Sequence, residues 1–304
     1  MILVVGATGL LGRRICERLR AERQPVRALV RRTSTPDKVN ALKLLGCELA
    51  IGDLKDPPQI QAACQGIAAV ISTASSTLSR QPGDSIESVD LQGQLTLVNA
   101  ARNANVRGFV FVSFLDDPAV QYPLTQAKRS VERAIADLDF TSIQASFFME
   151  VWLSPALGFD YVHSIARIYG TGSNPISWVS YRDVAEFCIA PVLRSVASRS
   201  VLEVGGPEPL TPLEVVKIFE EESGRRFEME TIPEPKLREQ LNSATDSLEK
   251  SFAGIMLKYA RGEAINMAGL LESIPIRLTS VREYARMVLE TAQMASGNAP
   301  TLSQ

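Results

Sequence analysis

The segment Gly6-Ala-Thr-Gly-Leu-Leu-Gly12 constrains this chain more than any other. It follows a short β-rich run, Ile2 to Val5, and opens a stretch from Leu11 to about Arg20 with Ile15, Cys16 and Leu19 on one helical face. A strand, a tight glycine turn and a helix in that order begin a βαβ unit, whose crossover is right-handed and whose strands are parallel. The alternation continues. Pro25 to Val30 reads as a strand, Asp37 to Leu45 as a helix, Glu48 to Ile51 as a strand, Pro58 to Cys64 as a helix and Ala68 to Ile71 as a strand. After a helix over Val89 to Ala104, the unbroken apolar run Phe109 to Ser113 has the composition of a strand buried on both sides. Thr125 is placed to cap the next helix, which runs to about Leu138 with Val131, Ala134 and Ile135 inward, and Thr141 to Ala145 makes a further strand. The class these elements predict is α/β, a doubly wound parallel sheet of Rossmann type.

Beyond Phe148 the regularity weakens. Ile168 to Ile176 is rich in turn residues and reads as a loop or irregular hairpin, after which Tyr181 to Leu193 is a helix and Val201 to Val204 a strand. Thr211-Pro-Leu-Glu214 combines a capping box with proline at the first helical position, and Gly224 stands where a left-handed cap would end that helix. Pro233 to Ala260 divides into two more helices, and Ser296 to Gln304 has the composition of a loose tail. We therefore expect a nucleotide-binding core over 1–155, with 176–205 returning to it. A smaller, mainly helical lobe on the substrate side comprises 156–175 and 206–304.

A net charge of -2 argues against nucleic acid or an anionic membrane as the main partner, so any bound phosphate must be gripped locally. The four cysteines are scattered and His163 stands alone, which removes the usual zinc spacings and suits a reducing compartment; the cytoplasm is the expected location. No apolar run approaches the length of a membrane span, so no membrane insertion is expected. A transit peptide removed before Met1 would leave no trace in this numbering.

The glycine turn places backbone amides and a helix N-terminus where a pyrophosphate can meet them. Gly6 and Gly9 leave room for the turn and the phosphates, and Gly12 lets the helix lie close to the sheet. Thr8, Leu10 and Leu11 complete that candidate set. A glycine turn that merely packs tightly is the alternative. At the end of the second strand stand Val30, Arg31 and Arg32, with no carboxylate for a ribose 2′-hydroxyl, so the two guanidinium groups point to a 2′-phosphate and hence to NADP(H). Solvated loop charges are the other account of that pair.

These residues resemble the NmrA-like branch of the atypical short-chain dehydrogenase/reductase superfamily, which includes NADPH:quinone reductase-like and isoflavone-reductase-like proteins. The resemblance rests on Gly6 to Gly12, Leu29-Val-Arg-Arg32, Gly52-Asp-Leu54, Val89-Asp90 with Asn99-Ala-Ala101, Phe109 to Ser113 and Arg182-Asp-Val-Ala185, and it covers most of the chain. It implies that Asp53 and Leu54 lie by the adenine, Thr73, Ala74 and Ser75 by the ribose and phosphates, and Ser113, Phe147, Phe148 and Met149 by the nicotinamide. From the residues alone, Asp53 also suits a turn cap, the Phe147 to Met149 group also suits core packing, and Asp183 reads as a helix cap.

Typical members of the superfamily carry Tyr-x-x-x-Lys, and this chain does not: Leu124 stands four positions before Lys128, and Tyr122 stands six before it. Lys128 is the catalytic candidate, since related reductases carry a lysine here that contacts the nicotinamide ribose or moves a proton. An i,i+4 ion pair with Glu132 is its structural alternative. The reading that follows is an NADPH-dependent reductase of a quinone-like or other small conjugated carbonyl substrate, because hydride transfer to a quinone needs orientation and stacking more than a dedicated tyrosine acid. The alternative is a non-catalytic NADP(H) sensor or scaffold, which would act through a protein partner.

Overall fold

A computed structural model describes residues 1–78, 80–194 and 199–297. The first half alternates strictly: β1 (Ile2–Val5), α1 (Leu10–Ala21), β2 (Val26–Val30), α2 (Pro36–Leu44), β3 (Glu48–Ile51), α3 (Pro57–Ala63) and β4 (Ala69–Ser72). A π-helical stretch, Ile86–Gly93, then leads into α4 (Gln94–Asn103), so the single helix expected over Val89 to Ala104 changes pitch midway. There follow β5 (Gly108–Ser113), α5 (Pro123–Ala134), β6 (Asp139–Ala145), α6 (Met149–Trp152), β7 (Phe159–Asp160), β8 (Ile165–Tyr169), α7 (Tyr181–Arg194) and β9 (Ser200–Val204). The remainder is α8 (Pro212–Ser223), β10 (Glu228–Ile232), α9 (Glu234–Ser243), α10 (Ser247–Arg261), α11 (Ala268–Ser273) and α12 (Val281–Gly297).

Seven strands pair in parallel in the order β3-β2-β1-β4-β5-β6-β9. The chain direction across the sheet reverses between β1 and β4, and a crevice opens at the carboxyl ends of those strands, where doubly wound sheets hold their ligands. All four residues of β1 are buried, as expected of a central strand covered by helices on both faces. α1 buries Leu11, Ile15, Cys16 and Leu19 against one face, while Val98, Ala101 and Ile60 from α4 and α3 cover the other. Residues 265–278 return to the first face through Ile265, Met267, Ile274 and Leu278.

A second sheet, β10-β8-β7, is not anticipated by the sequence; only the end of β8 falls in the stretch read as a loop or irregular hairpin, and β7 and β8 pair antiparallel just before it. Ile168 and Tyr169 belong to β8, and the turn begins only at Gly170. β10 escaped the sequence reading because four of its five residues are exposed, which leaves no apolar alternation to detect. Parallel pairing with β8 specifies it. The capping box forms as expected, Thr211 Oγ1 accepting from the Glu214 N–H at 3.1 Å, and Gly224 adopts φ +68°. Thr125 is not the N-cap of α5, although its hydroxyl accepts from the Tyr122 N–H at 3.1 Å. Tyr122 is the cap residue, with Pro123 opening the helix; Thr125 sits one turn in, its hydroxyl bonded to the Tyr122 carbonyl at 2.7 Å, and the helix ends at Ala134 rather than near Leu138. Asp183 caps nothing in its own helix either: its buried carboxylate accepts from the Thr279 N–H and hydroxyl at 2.7 and 2.9 Å, tying the C-terminal segment to α7. α12 continues to Gly297, and the rest of the expected tail lies outside the described residues. Among the described residues no helix is long and apolar enough to cross a membrane.

Candidate functional site

A cavity of about 630 Å³ runs from the glycine turn along the carboxyl edge of the sheet to α10. Its floor is the β1–α1 connection. Gly6 has φ +86°, and a Cβ there would stand 2.6 Å from Thr73 Oγ1 and 2.9 Å from the Ala74 nitrogen. A Cβ on Gly12 would stand 2.2 Å from the Gly6 carbonyl oxygen, a contact with rigid backbone. At Gly9 the one neighbour is that same oxygen at 3.2 Å. Its amide closes the turn by donating to Gly6 O at 2.9 Å. The first helical bond runs from Arg13 N–H to Gly9 O, so the amides of Leu10, Leu11 and Gly12 precede the α-helical ladder at the positive end of the helix dipole. Thr8, Leu10 and Leu11 line the cavity with the glycines.

The next stretch is electrostatic. Arg31 reaches the cavity, and its Nη1 donates to Asp84 Oδ2 at 2.5 Å; Lys55 pairs with the other oxygen of the same carboxylate. Burial would raise the Asp84 carboxyl, but hydrogen bonds from Lys55, the Gln81 N–H and Arg31 outweigh it and hold the group below its ordinary value. The sequence around β2 offered no carboxylate, and the tertiary structure brings one from 53 residues away. Arg32 does not line this cavity: it is exposed and lines a neighbouring depression with Ser34, Pro36 and Arg31, which borders both. Asp53 and Leu54 line the cavity, and the Asp53 carboxylate also accepts from the Lys55 N–H at 2.9 Å, which makes it a turn cap as well. Thr73, Ala74 and Ser75 line the wall above, with Thr73 Oγ1 donating to Val5 O at 3.2 Å.

Ser113, Phe147 and Phe148 reach the far half of the cavity as expected, and Met149 does not: it is fully buried in the second hydrophobic cluster, with its N–H on the Val179 carbonyl. The wall place one turn further along α6 belongs to Trp152. Lys128 lines the cavity while only 5% exposed. Its ammonium donates to Val112 O at 3.1 Å and lies 4.7 Å over the Phe111 ring. Burial pulls its pKa below that of an ordinary lysine, against the opposing pull of Asp90 and Glu132. The helix-surface pair with Glu132 is not formed, because Glu132 binds Arg129 at 3.0 Å and Ser142 at 2.6 Å. His163 is exposed and bonded to Asp160 at 2.7 Å, away from the cavity.

Three polar residues at the α10 end, Ser146, Lys258 and Glu263, were not singled out from the sequence, and a fourth, Tyr122, was set aside on its spacing from Lys128. A signal for one existed. On α10, Ser251, Gly254 and Lys258 follow the i, i+3, i+7 spacing of the buried stripe, and a lysine on an inward stripe needs a partner. Tyr122 escaped because it precedes α5 rather than standing on its face, so spacing from Lys128 is no guide to whether the two share a cavity.

The sequence profile of the NmrA-like family matches residues 1–285. This chain belongs to that family. Among relatives of this NmrA-like protein, the photosystem II assembly factor Ycf39 of Synechocystis is 32% identical over 248 residues, covering 78% of this chain and 72% of that protein. The NAD(P)H azoreductase of Xenophilus azovorans is 25% identical over 280 residues, covering 90% and 92%. Of solved structures, the NADPH-dependent quinone oxidoreductase of Escherichia coli in complex with NADPH superposes with a TM-score of 0.77 at 21% identity, over 95% of this chain and all of the other. That level of identity establishes a shared fold.

Proposed function

We propose that this NmrA-like protein binds NADP(H) and reduces a quinone-like or other small conjugated carbonyl compound. The observation that carries the reading is the continuity of one cavity from the Gly6–Gly12 turn to a chamber holding Lys128, Phe147 and Trp152. The first half fits a dinucleotide diphosphate: glycines whose Cβ atoms would strike backbone, and helix-end amides that favour an anion. Arg31, backed by Lys38 and Lys55 against Asp84 and Asp53, leaves one net positive charge for a 2′-phosphate. Asp53 and Leu54 take the adenine, Thr73 to Ser75 the ribose and phosphates, and Ser113, Lys128, Phe147 and Phe148 the nicotinamide end.

When bound, NADPH supplies the hydride. Lys128, fixed by Val112 O and the Phe111 ring, presents its remaining N–H groups to the nicotinamide ribose and so sets the ring against the substrate. Phe147 and Phe148 form an apolar wall that excludes water from the transfer.

The likeness to an assembly factor and the absence of Tyr-x-x-x-Lys favour a second reading, a non-catalytic NADP(H)-binding protein that acts through a partner. Calorimetric titration with NADPH and NADH, followed by loss of reduced-nicotinamide absorbance with a panel of quinones and conjugated carbonyls, separates the two. Binding with turnover supports the reductase, binding without turnover on any compound supports the second reading, and no heat with either coenzyme overturns both.

A further inference from the structure

The α10 end of the cavity has the make-up of an anion hole. Lys258 lines it and is 5% exposed. Its ammonium binds the Leu115 carbonyl and pairs with Glu263, itself buried, and it lies 5.5 Å from the centre of the Phe114 ring. An ammonium has three N–H groups, and these two polar partners leave one. The Tyr122 hydroxyl lines the same chamber and is buried without a hydrogen-bond partner among the described residues, while the Ser146 hydroxyl, also on the wall, interacts with the Glu263 carboxylate. An orphaned buried hydroxyl costs stability, so the two donors left open in this apolar chamber, one Lys258 N–H and the Tyr122 hydroxyl, suit an acceptor brought by a ligand. Gly254 holds the arrangement together: a Cβ there would stand 2.2 Å from the Tyr122 ring, so only glycine lets α10 approach the start of α5 this closely.

The chamber walls set the shape of the acceptor. Phe114, Phe147, Trp152, Phe252 and Ile255 line it, and Trp152 meets Phe147 edge to face at 5.0 Å. A flat conjugated molecule fits such walls. We propose that Lys258, held by Glu263 and accompanied by the Tyr122 hydroxyl, binds the oxygen of a conjugated carbonyl or quinone and protonates it as it becomes an enolate or phenolate. This rests on the reductase reading. The hydride from reduced nicotinamide forms one bond to the conjugated system, and the carbonyl π pair moves onto the oxygen. That oxygen takes a proton as the Lys258 N–H bond breaks, and the neutral amine regains a proton from water at the cavity mouth. Glu263 supplies the negative charge that lets an ammonium persist in this apolar setting; burial pushes its own carboxyl up, and Lys258 opposes that. The nicotinamide side belongs to Lys128 and the oxygen side to Lys258.

The probe is 4-nitrophenol, whose phenol and phenolate differ in visible absorbance, titrated into the protein saturated with NADP⁺. The wild type should bind the phenolate and lower the probe's apparent pKa by about one unit, a tenfold preference for the anion. Lys258→Met leaves Glu263 buried and unpaired, so the double variant Lys258→Met/Glu263→Gln guards against a folding defect. In it the shift should vanish while NADP⁺ affinity stays within about twofold. Tyr122→Phe should remove part of the shift. If the double variant binds NADP⁺ and shifts the probe as the wild type does, or if the wild type with NADP⁺ bound takes the neutral phenol, the inference fails and the reductase reading stands. Failure of NADP⁺ to bind the wild type removes both.

Discussion

The two ends of the cavity are built by opposite means. At the glycine turn, the groups that face the crevice are backbone amides and small residues from a single stretch, Gly6 to Gly12, and the side chains around them are partnered, as Arg31 is by Asp84. At the α10 end, side chains far apart in sequence do everything: Lys258 binds a carbonyl 143 residues away, Ser251 accepts from the Leu124 N–H 127 residues away, and the Tyr122 hydroxyl is left open. Phosphate is a constant of the ligand and can be met by a helix end that any βαβ unit supplies. The reacting molecule is the variable part, and only side chains converging from separate elements can shape a chamber for it.

That contrast can be broken first at Gly12. Valine there would put a Cβ 2.2 Å from the Gly6 carbonyl oxygen, with no side chain able to yield. Calorimetry should show NADPH affinity falling by about 100-fold or more, near 3 kcal/mol, together with a lower melting temperature. Unchanged affinity would mean that the turn does not carry the phosphate.

Lys128→Met tests the junction between the two ends. Turnover with a quinone accepted by the wild type should fall by about 100-fold, whereas melting temperature holds or rises, because a buried charge has been replaced by an apolar side chain of similar length. Burial lowers the Lys128 pKa from its ordinary 10.5, so just below pH 10.5 the unfolded chain binds a proton that the folded chain lacks. Stability of the wild type should therefore climb with pH from the depressed folded value up to 10.5 and stay flat below that window. Urea unfolding at stepped pH should show this component missing from Lys128→Met.

The smallest effect sharpens the cofactor end alone. Arg31→Asp should weaken NADPH about 10- to 100-fold relative to NADH, the worth of one or two charge-assisted hydrogen bonds. Arg32→Ala should leave the ratio of the two dissociation constants within about twofold, since Arg32 is exposed and does not line the cavity. Equal effects from the two arginines would contradict the division seen between them.

What the sequence could say was local in origin. A buried central strand, a glycine turn and an amphipathic helix are each specified by neighbours within one or two turns, so β1, α1, β5 and the Thr211 capping box were legible from residue order. Thr125 misled because hydroxyl caps and hydroxyls one turn inside a helix share the same composition, and Pro123 was the better marker of the boundary. Met149 and Trp152 could not be sorted, since an apolar residue after a strand suits a core and a cavity wall equally.

The amino-acid order by itself determined a doubly wound sheet and the turn that can hold a dinucleotide, because both follow from periodicities and backbone preferences of contiguous residues. The tertiary structure alone decided that Asp84 meets Arg31, that Arg32 stays outside the cavity, and that Tyr122, Lys258 and Glu263 share one chamber. Those outcomes depend on loops closing over tens to more than a hundred residues, and the burial that gives them their chemistry exists only once the elements have packed.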